Sequence, residues 1–92
     1  MIISSRTKTI IEFLISAEDY LTIKDIAGRL NLAERTVYRE MDNVNDTLGH
    51  YSLFVESIKS KGVRLYGSAE DIDHLKKSLN DNKAVYDYNF QE

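Results

Sequence analysis

The chain has no cysteine and no proline among its 92 residues, and only four glycines. Without cysteine there can be no disulfide framework, thiolate metal site or cysteine nucleophile, a composition that fits a reducing, cytoplasmic setting. Without proline, strong breaks are scarce, so element boundaries must be found from caps, periodicity and turn residues. No apolar run approaches the roughly 20 residues that cross a bilayer, and the opening MIISSRTK lacks the apolar stretch of a secretory signal. A soluble protein with no membrane association is expected. Enzyme chemistry finds little support: there is no glycine-rich phosphate loop, no histidine near a candidate nucleophile, and no carboxylate pair that would share a pocket. His50 and His74 stand alone in different elements, without a ligand at metal spacing, and read as surface or packing residues. No cofactor or metal is expected.

What is present suits one small domain, since 92 residues at 42% hydrophobic composition lie near the size at which a single core is self-sufficient. The formal charge of −3 is unevenly placed. Residues 1–67 carry nine Lys and Arg against nine acids, whereas residues 68–92 carry three Lys against six acids. The acidity therefore lies in the last quarter of the chain.

The apolar period reveals the elements. Thr7, Ile10, Ile11, Leu14 and Ile15 recur at three and four, which predicts a helix from Ser5 to about Ser16. Thr22 stands three before Asp25 as a variant capping box, and Ile23, Ile26, Ala27 and Leu30 repeat the spacing of a second helix that Asn31 ends in a left-handed conformation. Leu32, Val37, Met41, Val44 and Leu48 form the seam of a third, from about Ala33 to Leu48, with Gly49 as its exit. The period then falls to two. Leu53, Val55 and Ile58, then Val63 and Leu65, alternate with polar or exposed residues on either side of a "KSKG" turn, which predicts a β-hairpin. Ser68, three before Asp71, caps a fourth helix with Ile72, Leu75, Lys76 and Leu79 down one side.

Three helices, a hairpin and a further helix make an α+β, mainly α, chain in the order of a winged helix-turn-helix. Residues 1–80 are the expected domain, and residues 81–92 a tail or the start of a linker to absent C-terminal domains. Ala27 lets the two helices of the motif approach, and Asn31 tolerates the positive φ of the turn.

At this point the sequence resembles the N-terminal domain of bacterial transcriptional regulators that carry phosphotransferase-system regulation domains, of the mannitol and lichenan operon activator type. The residues that carry the resemblance are "LTIKDIAGRLNLAERTVYREMDNVNDTL", "YSL", "SKGVRLYG" and "EDIDHLKKSL", about four fifths of the chain. Two positions depart from the family pattern: Ala33 replaces the usual serine cap and Asn31 the usual glycine. The resemblance implies sequence-specific binding of double-stranded operator DNA, control of sugar-uptake or carbohydrate-utilisation genes, and homodimerisation in the full-length protein. It also implies regulation by phosphotransferase-system proteins acting on C-terminal domains.

Side-chain chemistry assigns the expected contacts. Arg35 and Arg39, four apart on the third helix, can fork onto guanine or phosphate, while Thr36 and Tyr38 offer hydroxyls and Glu34 can accept from cytosine. Lys59, Lys61 and Arg64 cluster at the hairpin as candidate backbone contacts, and Arg6 and Lys8 can also meet phosphate. Glu34, Glu40, Asp42 and Asp46 oppose phosphate unless turned aside, paired with arginines or used to accept from cytosine N4. The alternative function is a winged-helix protein-interaction or dimerisation module without base readout, its acidic last helix serving as the contact. The aromatic alternation of Tyr86, Tyr88 and Phe90 leaves the tail open between disorder and a partner-binding strand.

Overall fold

The computed structural model describes residues 3–81 and the backbone of residues 86–87. In chain order the elements are β1 (Ile3–Ser4), α1 (Ser5–Ser16), α2 (Ile23–Leu30), α3 (Glu34–Gly49), β2 (Phe54–Ile58), β3 (Gly62–Tyr66), α4 (Ala69–Asp81) and β4 (Tyr86–Asp87). This is a winged helix-turn-helix: α1 and α2 both pack on α3, and β2 and β3 form an antiparallel hairpin beside them.

Local chemistry sets most of the boundaries. The Ser4 hydroxyl caps α1 by accepting from the Thr7 amide at 3.1 Å, and Ile10, Ile11 and Leu14 then bury one face. At α2 the capping box is complete, because Thr22 Oγ1 accepts from the Asp25 amide at 2.9 Å and the Asp25 carboxylate accepts from the Thr22 amide at 3.3 Å. The helix ends where Asn31 turns to φ 57° and ψ 47°. There the Leu32 amide returns to the Ala27 carbonyl at 2.9 Å and the Asn31 amide to that of Gly28 at 3.4 Å, the two bonds of a Schellman end. Ala33 opens α3 from an extended conformation with no side-chain cap. Val37, Met41, Val44 and Leu48 supply its buried seam.

The exit of α3 differs from the expectation at Gly49, which remains helical. The left-handed residue is Ser52, at φ 61°, where the Leu53 amide closes on the Leu48 carbonyl at 3.0 Å and the Ser52 amide on that of Gly49 at 3.3 Å. Burial explains the choice: ending the turn at Ser52 places Leu53 in the core, and the whole strand phase follows from it.

Leu53, Val63 and Leu65 are buried, while Phe54, Arg64 and Tyr66 face solvent. Ser68 caps α4 through the Asp71 amide at 3.1 Å, and Leu75 and Leu79 hold that helix on the core. Lys76, expected on the apolar side, is exposed. The Tyr51 and Ser78 hydroxyls share a 2.6 Å hydrogen bond, and His74 meets the Tyr51 ring edge-on, a packing role for that histidine. The backbone of β4 pairs in parallel with β1, Ile3 beside Tyr86 and Ser4 beside Asp87. Tyr88 and Phe90 lie outside the described residues.

The hairpin is docked to the connection between α1 and α2. Leu21 and Val63 exchange backbone hydrogen bonds at 2.8 and 2.7 Å, so Leu21 adds a third rung alongside β3. The close approach needs Gly62, at φ 114°, where a Cβ would lie 2.3 Å from the Leu21 carbonyl oxygen. Beside this pair the Tyr20 hydroxyl donates to Glu56 of β2 at 2.8 Å. That hydrogen bond, with desolvation and the charge of Glu56, raises the Tyr20 phenol above its ordinary value, against a smaller opposing effect of Arg64.

Two outcomes are expected. Ala33→Ser supplies the missing cap and raises stability by about 1 kcal/mol, some 4–8 °C in melting temperature for a domain of this size, measured by thermal unfolding. Glu56→Gln returns the Tyr20 phenol toward its ordinary value, read from its ring-carbon NMR titration. Because the folded-state value is raised, the stability from this bond is present below the ordinary phenol value and is lost as pH rises through the folded-state value. The wild-type protein therefore loses stability more steeply than the variant in that alkaline window.

Candidate nucleic-acid interface

Around the Val37, Val44 and Leu48 seam, the rest of α3 divides into three stripes because residues three and four apart share a face. Glu34, Tyr38, Met41 and Asn45 face the hairpin, and with it line an open cleft of about 650 Å³. Arg35, Arg39 and Asp42 occupy the adjoining stripe and are exposed. Thr36, Glu40, Asn43 and Thr47 run along the side toward α1, where Thr36 and Glu40 are half-buried and Thr47 is buried.

The cleft brings together parts of both expected contact sets. Glu34 and Tyr38 come from α3, Lys59 and Lys61 from the tip of the hairpin, and Ile23 and Val55 contribute apolar surface. Tyr38 is 61% exposed, which leaves its ring largely in solvent at the cleft. Arg35, Thr36, Arg39 and Arg64 do not line the cleft. Thr36 turns toward the α1 side, so of the residues expected to read DNA it is the one set furthest back.

Arg35 and Arg39 have no carboxylate partner among the described residues. Glu40, next to Arg39 in sequence but on the α1 side of the helix, has its carboxylate occupied elsewhere. It accepts from the Thr7 hydroxyl at 3.2 Å and Asn43 Nδ2 at 3.3 Å, and meets the Arg6 guanidinium at 3.5 Å. The Ser4 hydroxyl stands 3.0 Å from that of Thr7, extending the chain of hydroxyls to the start of α1. Glu40 thus ties α1 to α3 and is turned away from the exposed arginines. Arg6 is partly committed to it, and Lys8 pairs with Glu12 at 3.4 Å, so the two basic residues of α1 are less free than their sequence suggests.

The hairpin cations are also differentiated. Lys61 Nζ lies 5.5 Å and Arg64 Cζ 5.7 Å from the centroid of the Tyr20 ring. Among the described residues Lys59 has no such contact. Two residues of this surface escaped the sequence reading. Lys24, at the start of α2, lines the cleft with Lys59 and Lys61, and no local pattern could have placed it there. Tyr20 lies between the first two helices, outside every element that the sequence predicts, and only its contacts across the chain reveal its place. On the outer side of the hairpin Phe54 and Tyr66 pair with ring centroids 5.0 Å apart, each about half exposed.

Chemically the surface offers point charges from two sides of a cleft, planar guanidiniums on an exposed helix, and hydroxyl donors between them. Among the described residues no cluster of histidine and carboxylate side chains could hold a metal ion. No helix there is long and apolar enough to cross a membrane.

Comparison with known proteins bears on family and fold. No curated protein matches the chain. Among solved structures, ScpB from Mycobacterium tuberculosis is similar with a TM-score of 0.60 at 17% identity, over 83% of this chain and 48% of that one. The likeness is one of fold, and the chain spans about half the length of that structure. The family profile described as "HTH domain" matches residues 6–64, from α1 through α2, α3 and most of the hairpin. With well over half its length under that profile, the chain belongs to the HTH domain family, the helix-turn-helix domains that bind DNA.

Proposed function

We propose that the domain reads double-stranded operator DNA in a sequence-specific way, with α3 in the major groove and the hairpin wing on the flanking backbone. The observation that carries this reading is the pair Arg35 and Arg39, exposed, one turn apart and unpaired among the described residues, beside a cleft that also presents Lys24, Lys59 and Lys61. Unpaired guanidiniums on the exposed face of such a helix are suited to guanine O6 and N7 or to phosphate. Glu34 and Tyr38 stand where the helix meets the wing, and Thr36 and Arg64 flank the surface.

The resemblance to regulators with phosphotransferase-system regulation domains supports the finer reading. On it, the domain is the operator-reading part of a cytoplasmic bacterial transcription regulator of sugar-uptake or carbohydrate-utilisation genes. Residues 1–80 form that part, and the remainder leads toward regulatory domains that phosphotransferase-system proteins address. The regulator acts as a homodimer, which a pair of half-sites would match. The rival reading, a protein-interaction module, draws on the half-exposed Phe54 and Tyr66 pair. Salt separates the two, because contacts to several phosphates weaken steeply as salt rises and an apolar interface does not.

Replacing both Arg35 and Arg39 by alanine is expected to weaken binding to a selected duplex by about a hundredfold or more, at roughly 1–3 kcal/mol per specific contact. Melting temperature should barely move, since exposed substitutions cost within about 0.5 kcal/mol. Unchanged affinity in the double variant, by fluorescence anisotropy, would remove α3 as the reader. Exchanging Lys59 and Lys61 for glutamate should instead weaken all duplexes alike and flatten the salt dependence by about one phosphate per lysine. Loss confined to one base position would mean that the wing reads sequence.

A further inference from the structure

We infer that Tyr20 is the positioning residue of the wing, keeping Lys61 and Arg64 clear of the one wing acid, Glu56, so that both cations stay available to DNA. The proposal rests on the DNA-binding reading above and adds a residue to which that reading gives no role.

The geometry within the hairpin is unexpected without Tyr20. Glu56 and Arg64 stand directly opposite one another in the β2 and β3 register, the arrangement in which a carboxylate and a guanidinium ordinarily pair across strands. They form no ion pair. The Glu56 carboxylate instead accepts from the Tyr20 hydroxyl at 2.8 Å. The Arg64 guanidinium lies over the Tyr20 ring at 5.7 Å, and Lys61 reaches the same ring at 5.5 Å. One phenol thus occupies the acid through its polar tip and gathers two cations on its π-system, an interaction that holds a cation without neutralising it.

Glu56 is the sole acid between Phe54 and Tyr66, against Lys59, Lys61 and Arg64. If it paired with Arg64, the wing would lose a full charge where a phosphate would sit. The anchor for Tyr20 is rigid. Leu21, the next residue, exchanges two backbone hydrogen bonds with Val63, and Gly62 permits that contact. The ring is therefore fixed relative to the strand that carries Arg64. Long basic side chains lose rotamer freedom when they bind, and stacking them beforehand reduces that loss.

A double-mutant cycle on the whole chain tests this. Tyr20→Leu is expected to weaken duplex binding roughly fivefold to tenfold and to lower the salt dependence by about one phosphate. Adding Glu56→Gln to Tyr20→Leu should restore most of that affinity, while the same change in the wild-type background has a smaller effect. Tyr20→Phe, which keeps the ring but not its hydroxyl, should fall between. A Tyr20→Leu variant that binds as wild type, or a Glu56→Gln effect equal in both backgrounds, overturns the proposal. A second readout needs no DNA: the Lys61 Hε and Arg64 Hδ protons should be shifted upfield by the ring in the free wild-type protein and return to ordinary positions in Tyr20→Leu. Their absence in the wild-type spectrum also overturns the proposal. Shifted protons together with no affinity of the wild-type chain for any member of a random duplex pool would refute the DNA reading on which it rests, while leaving the stacking itself in place.

Discussion

The reciprocal pair of hydrogen bonds between Leu21 and Val63 is the constraint on which the candidate surface depends. Helices α1, α2 and α3 can bury one another through their apolar stripes, but a two-stranded hairpin is marginal alone and must be held against something. Adding Leu21 as a third rung joins it to the start of α2, and the absence of a side chain at Gly62 makes the approach possible. From that junction follow the width of the cleft, the position of Lys59 and Lys61 opposite Lys24, and the placement of Tyr20 over the hairpin. The apolar side of the hairpin, through Val63 and Leu65, then shares the core with the helices.

Charge is organised by the same frame. An overall charge of −3 argues poorly for a polyanion partner until it is divided by position, and the structure divides it further by commitment. Glu40 is drawn to Thr7, Asn43 and Arg6, and Glu56 to Tyr20. Glu40, beside Arg39 in sequence, and Glu56, opposite Arg64 in the hairpin, are thereby satisfied by hydroxyl, amide and guanidinium donors. Arg35 and Arg39 remain open at the surface. A chain of net acidic composition can thus present open guanidiniums, with Glu40 and Glu56 bound internally while Glu34 and Asp42 stay exposed.

Much of this fold was legible from residue pattern. The capping box at Thr22, the left-handed Asn31, the uncapped Ala33 and the Ser68 cap all depend on interactions within four or five residues, and each stands as its local chemistry implies. The α3 exit was less legible. Gly49 is the residue most tolerant of a left-handed turn, yet the chain bends at Ser52, because the gain from burying Leu53 outweighs a local cost of about 1 kcal/mol for a non-glycine residue there. The candidate surface shows the same division. The exposure of Arg35 and Arg39 follows from their helical phase, but the direction of the neighbouring Glu40 carboxylate is fixed by Thr7, 33 positions earlier.

The sequence by itself determined the order of elements, their caps and which face of each helix is apolar, because those properties arise from backbone hydrogen bonding and from the 3.6 and 2.0 residue periods. Only the tertiary structure decided which charges are spent and which remain. Tyr20 meets Glu56 across 36 positions, and Lys24 faces Lys59 and Lys61 across a cleft that exists only once the hairpin is docked. Contacts between residues so distant in sequence have no local signature, since they are selected by the packing of whole elements and not by the propensities of neighbours.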